Sequence, residues 1–559
     1  LQNFMTRGFE SSIEPQLLFG LEKKKIVDSL IVVWPDRKKQ VIKNVSVNRT
    51  LVLENKSANL QFNFKQKRVE PLFKDVTSTT LKGNYNHKEN VFNDFDQERL
   101  LPRKISTEGP KILSGDLNGD KLEDFMLLGA AGDPDKLFFQ TKSGQFEARL
   151  QAPFIIDSLF ESTCGVFFDA DNDHDLDILI GSGGNQIENS SKNALRYYQN
   201  DGHGKFLKVD MGLSKIIGEF SCILAEDFDK DGDVDLFIGG RIVAGSYGLI
   251  PKSYLLQNDK GNWIDITTES LRDAGMVTGA VWADVDKDSR NDLVIVGEWM
   301  PVKIFSNTGK GLGPAKILDG TEGWWTSIQK ADLNQDGVDD FVLGNWGVNS
   351  KFQAAKERPL KMYVKDFDRN GKSEFVITWY PPTENKDFPF AAKSDMTSQL
   401  PQLKKSVLHY GDYANKSYED LLSTELRKDA VEYITTTLQS SILWNKGNNN
   451  YRLDALPIQA QVSPVFSIVA EDLDNDKIID LFLGGNFYGL KPEVGRQNSS
   501  QGIFLKGNGK DKFEFSPSSK IGLNIKGEVR DMKVLEIPGK GKTILVGRNN
   551  MPAMIFQKK

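Results

Sequence analysis

Residues Asp169–Gly181 read DADNDHDLDILIG. Aspartates stand at 169, 171, 173, 175 and 177, and an apolar run follows directly. Side chains two apart in a regular strand share a face, so these carboxylates repel one another unless something positive sits among them. Either the face is simply solvated or a cation is held there. The rest of the chain decides, because the stretch has six counterparts.

Written from its first aspartate, the pattern is D-x-[DN]-x-[DN]-x-x-x-[DE] followed by apolar residues. It places candidate oxygen ligands at Asp116, Asn118, Asp120 and Asp124, and at Asp169, Asp171, Asp173 and Asp177. It recurs at Asp227, Asp229, Asp231 and Asp235, and at Asp284, Asp286, Asp288 and Asp292. Three further copies hold Asp332, Asn334, Asp336 and Asp340; Asp366, Asp368, Asn370 and Glu374; and Asp472, Asp474, Asp476 and Asp480. Behind the loops come FMLLG, ILIGSGG, LFIGGR, LVIVGEW, FVLGNW, FVITW and LFLGGN, short runs of β-formers mostly closed by glycine. That is a strand signature.

The loops are spaced by 53, 58, 57, 48, 34 and 106 residues. A unit of about 40–60 residues carrying about four short strands is the period of a β-propeller blade. The short spacing places the loops at 332 and 366 in one blade. The long one points to an insertion at residues 381–440, which reads as helical, with candidate N-caps at Ser394 and Ser417. At the C-terminus, EVRDMKVLEI, TILVGRNN and PAMIFQKK supply three strands. The stretch Val69–Thr77 (VEPLFKDVT) resembles the outer strands FEFSPSS and WIDITTES and is expected to complete that blade. The reading is all-β: a seven-bladed propeller of four-stranded blades over residues 59–559, with a small β unit at residues 1–58. Closing the ring with both ends removes its exposed edges.

Oxygen ligands at positions 1, 3, 5 and 9 with a backbone carbonyl from position 7 suit calcium, which tolerates a flexible carboxylate cage. An EF-hand requires Glu at position 12, whereas Leu127 and Ile238 stand there, inside strands. About five to seven structural calcium ions are expected. Asp175 is expected to give its carbonyl and turn its side chain outward, and His174 to be a solvent-facing turn residue. If φ is positive at position 6, Lys121, His174, Ser289 and Lys477 each adopt a conformation that favours glycine.

The 559 residues carry a formal charge of −6, with 39% hydrophobic and 26% charged residues, an ordinary globular composition without a basic footprint for nucleic acid. Seven divalent cations would carry the formal charge to about +8. Two cysteines, Cys164 and Cys222, make no disulfide framework and read as buried free thiols. No stretch approaches the roughly 20 apolar residues of a membrane helix, so no direct membrane insertion is expected from this chain. The four histidines form no HExxH or Cys–His arrangement, and the sequence holds no nucleophile elbow, so no catalytic residues are expected.

With these residues in hand, the chain resembles the FG-GAP/VCBS repeat proteins, whose calcium-loop blades also occur in integrin α-chain propellers. The segment LLFGLEKKKIVDSLIVVWPDRKKQVIKNVSVNRTLVLEN resembles the ASPIC/UnbV domain through Phe19-Gly20, Val27-Asp28-Ser29-Leu30 and Trp34-Pro35. On its own residues that segment reads as three or four strands with a turn at Pro35-Asp36-Arg37. The resemblance implies a longer protein upstream of Leu1 and a bacterial extracytoplasmic setting, secreted or at the outer membrane, in some relatives beside glycan-uptake systems. It also implies that partners bind the face opposite the calcium loops. Carried onto this chain, that face holds Asn185, Arg241, Trp299, Trp324, Trp325, Asn345, Trp346, Asn486, Tyr488 and Asn549, with Glu298, Arg548, His87 and Asn90 beside them. Exposed aromatics among Asn, Arg and Glu suit sugar stacking or protein contact. The leading expectation is a non-enzymatic module that binds a protein or glycan. The alternatives are a lyase-like carbohydrate enzyme and a scaffold subunit of a membrane complex that docks through the insertion.

Overall fold

The computed structural model describes residues 11, 12, 14, 16–63, 70–186, 191–381 and 383–559. Residues 1–10 of the N-terminal unit and Val69 of the closing segment lie outside them. The chain divides into two compact units, Leu1–Val69 and Glu70–Lys559. In the first, Ile26–Val33 pairs antiparallel with Lys38–Ser46, and Leu60–Gln61 adds a third strand. Its hairpin turns at Arg37, with φ of 65°, and Asp36 accepts the Lys38 N–H at 3.1 Å.

In the second unit, seven sheets built on four antiparallel strands begin with Ile112–Gly115, Ser162–Phe168, Glu219–Glu226, Met276–Ala283, Ser327–Ala331, Val465–Glu471 and Glu528–Ile537; the first gains Leu81–Lys82 as a parallel edge and the fourth gains Gly323–Trp324. These first strands touch one another in succession, and the seventh touches the first. The sheets therefore close into a ring, a β-propeller, and are called blades one to seven. Seven apolar clusters lie one at each junction between neighbouring blades. This explains the unbroken apolar second strands: Asp124–Leu127 and Asp177–Ser182 are buried along their whole length because each packs on both faces. Blade seven takes its outer strand from Phe73–Asp75, which pairs with Met554–Lys558.

The insertion differs from the sequence reading in place and in kind. The second strand of blade five, Asp340–Gly344, has Ser441–Asn445 as its next neighbour, through Leu343↔Ser441. Everything between is inserted, and it contains a second sheet, ordered Phe388–Pro389, Glu374–Trp379, Leu360–Lys365 and Val431–Thr435. The loop at 366 belongs to this sheet and does not share a blade with the loop at 332. The helices are short: Lys393–Gln399, Tyr410–Ala414, Tyr418–Leu421 and Thr424–Arg427. Ser417 caps one of them, accepting the Asp420 N–H while the Asp420 carboxylate accepts back. The cap of Lys393–Gln399 is Ala392, not Ser394. An eighth apolar cluster gathers Trp299, Trp324 and Trp346 with residues of the insertion and of residues 95–105. Among the described residues, no helix is long and apolar enough to cross a membrane.

Candidate cation loops and the covered face

All seven aspartate loops join a strand to the next strand of the same sheet, six in blades one to six and one in the inserted sheet. One hydrogen-bond scheme builds them. The N–H of position 6 donates to the position 1 carboxylate in every copy, from Lys121 to Asp116 at 2.8 Å through Lys477 to Asp472 at 2.9 Å. The N–H of position 7 donates to the side chain of position 5 in every copy. Such a tight coil needs left-handed backbone, and position 6 has positive φ throughout, including His174 at 73° and Ser289 at 68°. Position 4 is left-handed as well, at Asn172, Lys230, Lys287, Gln335, Arg369 and Asn475 beside Gly119. Asparagine and glycine at some of these positions were the available signal.

The position 9 carboxylate does two jobs. In blades one to four one oxygen accepts the N–H of position 2, as Leu117 to Asp124 at 3.1 Å. In blades one to six the other accepts a backbone N–H from the third strand, as Asn258 to Asp235 at 2.8 Å. Burial, with loop carboxylates adding repulsion, lifts Asp124, Asp235 and Asp340 to about 7 and Asp177, Asp292 and Asp480 to about 6. Glu374 in the inserted sheet rises to about 7 for the same reasons.

In five loops three carboxylates offer oxygens within 4.8 Å of one another: Asp169, Asp171 and Asp173; Asp227, Asp229 and Asp235; Asp284, Asp286 and Asp288; Asp366, Asp368 and Glu374; and Asp472, Asp474 and Asp480. Asn118 and Asn334 reduce the carboxylate count in the remaining two. Buried oxygens of Asp169, Asp340, Asp474 and Asp480 have no hydrogen-bond partner. Converging carboxylates with unpartnered buried oxygens fit a hard cation and are costly without one. His174 is 93% exposed, a turn residue. Asp175 departs from the reading: its side chain is half-buried and Oδ1 lacks a partner, so it does not point into solvent. In the loop at 472 the Lys506 ammonium bridges Asp474 and, at 2.8 Å, Asp476.

The loops also tie blade to blade, through residues that the ligand spacing does not reveal. Asn200, Asn258, Asn307 and Asn445 end the third strands of blades two to five. Each donates from Nδ2 to the position 2 carbonyl of the preceding loop: to Leu117, Ala170, Phe228 and Val285, at 2.9, 3.1, 2.7 and 3.0 Å. Gln140 makes the corresponding reach from blade one to Glu536 of blade seven at 3.2 Å. The sequence signal is an asparagine followed two or three residues later by glycine, as in NDG, NDKG, NTG and NKG. Further links join loop to loop, from Asn172 to Asp233, Lys230 to Ser289 and Gln335 to Lys477.

The expected binding face is not an exposed aromatic surface. Trp299, Trp324, Trp325 and Trp346 are at most 3% exposed, and Asn185, Arg241, Asn345, Asn486 and Asn549 are buried too, while Tyr488 is half-buried under Arg496. Trp324 meets Trp299 at 4.9 Å, Phe352 at 4.8 Å and Trp346 at 5.8 Å between ring centroids. Residues 84–108 and the insertion lie over this end of the ring. Arg103 pairs with Glu298, which also takes Arg241 at 3.0 Å and the Tyr247 hydroxyl at 2.7 Å. Asn185 donates to Asp94 and Glu98 and accepts the Gly245 N–H. Asn345 donates to Thr437 and Gln439, Asn486 to Ser500 and Gly527, and Asn549 to Thr107. His87 is buried and pushed down to about 3 by desolvation, and Asn90 bonds Gln186 at 2.7 Å. Most of these residues are joints between the ring and its cover, whereas Trp325 packs at the junction of blades four and five and Asn486 bonds carbonyls of the ring itself. Cys164 and Cys222 are free, and burial raises both thiols.

Fold and loops together define a β-propeller with aspartate loops in six of its blades. Residues 227–295 and 284–343 match the FG-GAP-like repeat family, and residues 1–60 match the family described as ASPIC and UnbV. No curated protein is similar to the chain in sequence. Among solved structures it is similar to the V. cholerae biofilm matrix protein Bap1, at 10% identity over 88% of this chain and 91% of that one, TM-score 0.37. It is also similar to the Dos1 propeller, at 9% identity over 85% and 96%, TM-score 0.36. YCF48 bound to D1 peptide matches at 10% identity over 82% and 93%, TM-score 0.36.

Proposed function

We propose that this chain is a calcium-stabilised, non-enzymatic β-propeller that binds a protein or glycan partner outside the cytoplasm, at the cell surface or outer membrane of a bacterium. The observation that carries the reading is the set of seven loops of one geometry, five with converging carboxylates, several with unpartnered buried oxygens. Bound calcium supplies positive charge to these cages and has no chemical step to perform. Asp169, Asp171, Asp173 and Asp177, and their counterparts in the other loops, would hold it. The ring is then a rigid frame, because the carboxylates that take the ion also anchor the third strand and the loop backbones of blades one to four take the neighbouring blade's asparagine. Recognition falls to the cover, residues 84–108 and the insertion, which hides the ring end that an uncovered propeller presents.

The test is a glycan array together with co-purification from a cell envelope, each run in calcium and in EDTA. Calcium-dependent retention of a glycan or an envelope protein is the expected result. Release of unsaturated sugars from a polysaccharide incubated with the protein would overturn the non-enzymatic reading.

A further inference from the structure

A cavity of about 470 Å³ lies where three parts of the cover and ring meet. Gln97 and Glu98 come from the covering segment, Asn185 and Gln186 from blade two, and Asn370 to Phe375 from the cation loop of the inserted sheet. The volume falls within the roughly 300–1,000 Å³ of small-molecule sites.

Its chemistry is specific. Gln97 and Gln399 bring primary amides able to donate to a ligand, while Gln186 is held by Asn90 and Asn370 Oδ1 takes the Lys372 N–H. Leu100 and Phe375 contribute apolar wall, and the charged lining is one ammonium, Lys372, with two carboxylates, Glu98 and Glu374. An anion finds no arginine here and meets two carboxylates, and a purely apolar ligand leaves the Gln97 and Gln399 amides without a partner in the cavity. A neutral, polyhydroxylated ring with one apolar face satisfies both kinds of wall. Part of the wall is held in advance. Glu98 accepts the Tyr247 N–H at 2.8 Å and the Asn185 amide at 3.2 Å, and Gln399 accepts the Arg99 N–H through Oε1 at 3.1 Å, keeping its NH2 for a ligand.

We infer that this cavity binds a neutral saccharide unit, and that the cation loop at 366 makes the binding calcium-linked. The inference rests on the partner-binding reading and names its site and ligand class. The loop that would hold the ion at Asp366, Asp368, Asn370 and Glu374 also forms one wall, so the ion fixes the wall against which the sugar packs. Without it, like charges push that wall apart.

Titration calorimetry of the calcium-loaded protein with glucose, galactose, mannose, N-acetylglucosamine and their β-linked disaccharides tests this, with inorganic phosphate as the charged probe. At least one sugar binds saturably and phosphate does not. The exposed Gln97→Ala weakens that binding about tenfold, the loss of one hydrogen bond in the complex, without moving the melting temperature, and Gln399→Leu weakens it about as much while also losing the bond to the Arg99 N–H. Asp366→Ala weakens it and removes its calcium dependence, while calcium still raises the melting temperature through the other loops. Binding of none of the sugars, binding of phosphate instead, or sugar affinity unchanged in both glutamine variants overturns the inference. A protein that binds no sugar yet still melts higher in calcium and retains an envelope partner leaves the propeller reading standing and this site refuted.

Discussion

Replacing Asn258 with leucine removes one blade-to-blade strut and nothing from the cation cage. Its amide donates to Ala170 of the preceding blade at 3.1 Å and to Val234 at 3.3 Å, and its Oδ1 accepts the Gly261 N–H at 2.8 Å. The side chain is 2% exposed, so water does not replace these partners freely. Three bonds at about 1 kcal/mol each, plus the cost of stranding buried carbonyls, give a loss of about 3–5 kcal/mol. The backbone N–H bond to Asp235 is kept, so the loop itself persists. Urea unfolding followed by tryptophan fluorescence reads the change as a lowered midpoint, with Asn262→Ala, an exposed neighbour, as control at under about 0.5 kcal/mol. A midpoint for Asn258→Leu within the control's range would refute the view that these asparagines bind the ring together.

In EDTA the protein loses stability as pH rises. The position 9 acids sit at about 6–7 when folded, above the ordinary 3.8 of aspartate, so between pH 4 and 7 the folded state holds more protons than the unfolded one. Melting temperature in EDTA should fall across that window, and a rise there would contradict the assignment. Lys506→Met takes an ammonium away from Asp474 and Asp476, and calcium titration against a chromophoric chelator should show a tighter class of site. An unchanged isotherm removes the loop at 472 from the set. Trp324→Ala, at a position 2% exposed, should cost about 3–5 kcal/mol of stability, read by thermal melting; an unaltered melt would return that tryptophan to the surface.

The parts of this fold that are legible in the sequence are those encoded within about ten residues. Each aspartate loop and the strand behind it, such as Asp227 to Gly240, announces its own ligands and its own burial. The closing strand around Phe73 is legible because it repeats the composition of other outer strands. The inserted sheet is not, because Leu343 pairs with Ser441 and nothing local marks a strand partner so far along the chain. The covered face fails for a related reason. Trp324 and Trp346 stand in loops, where an aromatic reads as exposed, and what buries them is a segment with no periodic pattern and an insertion placed differently from the sequence reading. The asparagine struts are visible once the third strands are aligned, but their role depends on which carbonyl of the next blade they face.

The most direct test of the cation-held ring is thermal melting of the intact chain in calcium and in EDTA at pH 7.5. Calcium should raise the melting temperature in a concentration-dependent way, by linkage to the folded state. Magnesium, which keeps its waters, should do so far less at equal concentration. A melting curve that is the same in calcium and in EDTA would contradict the account.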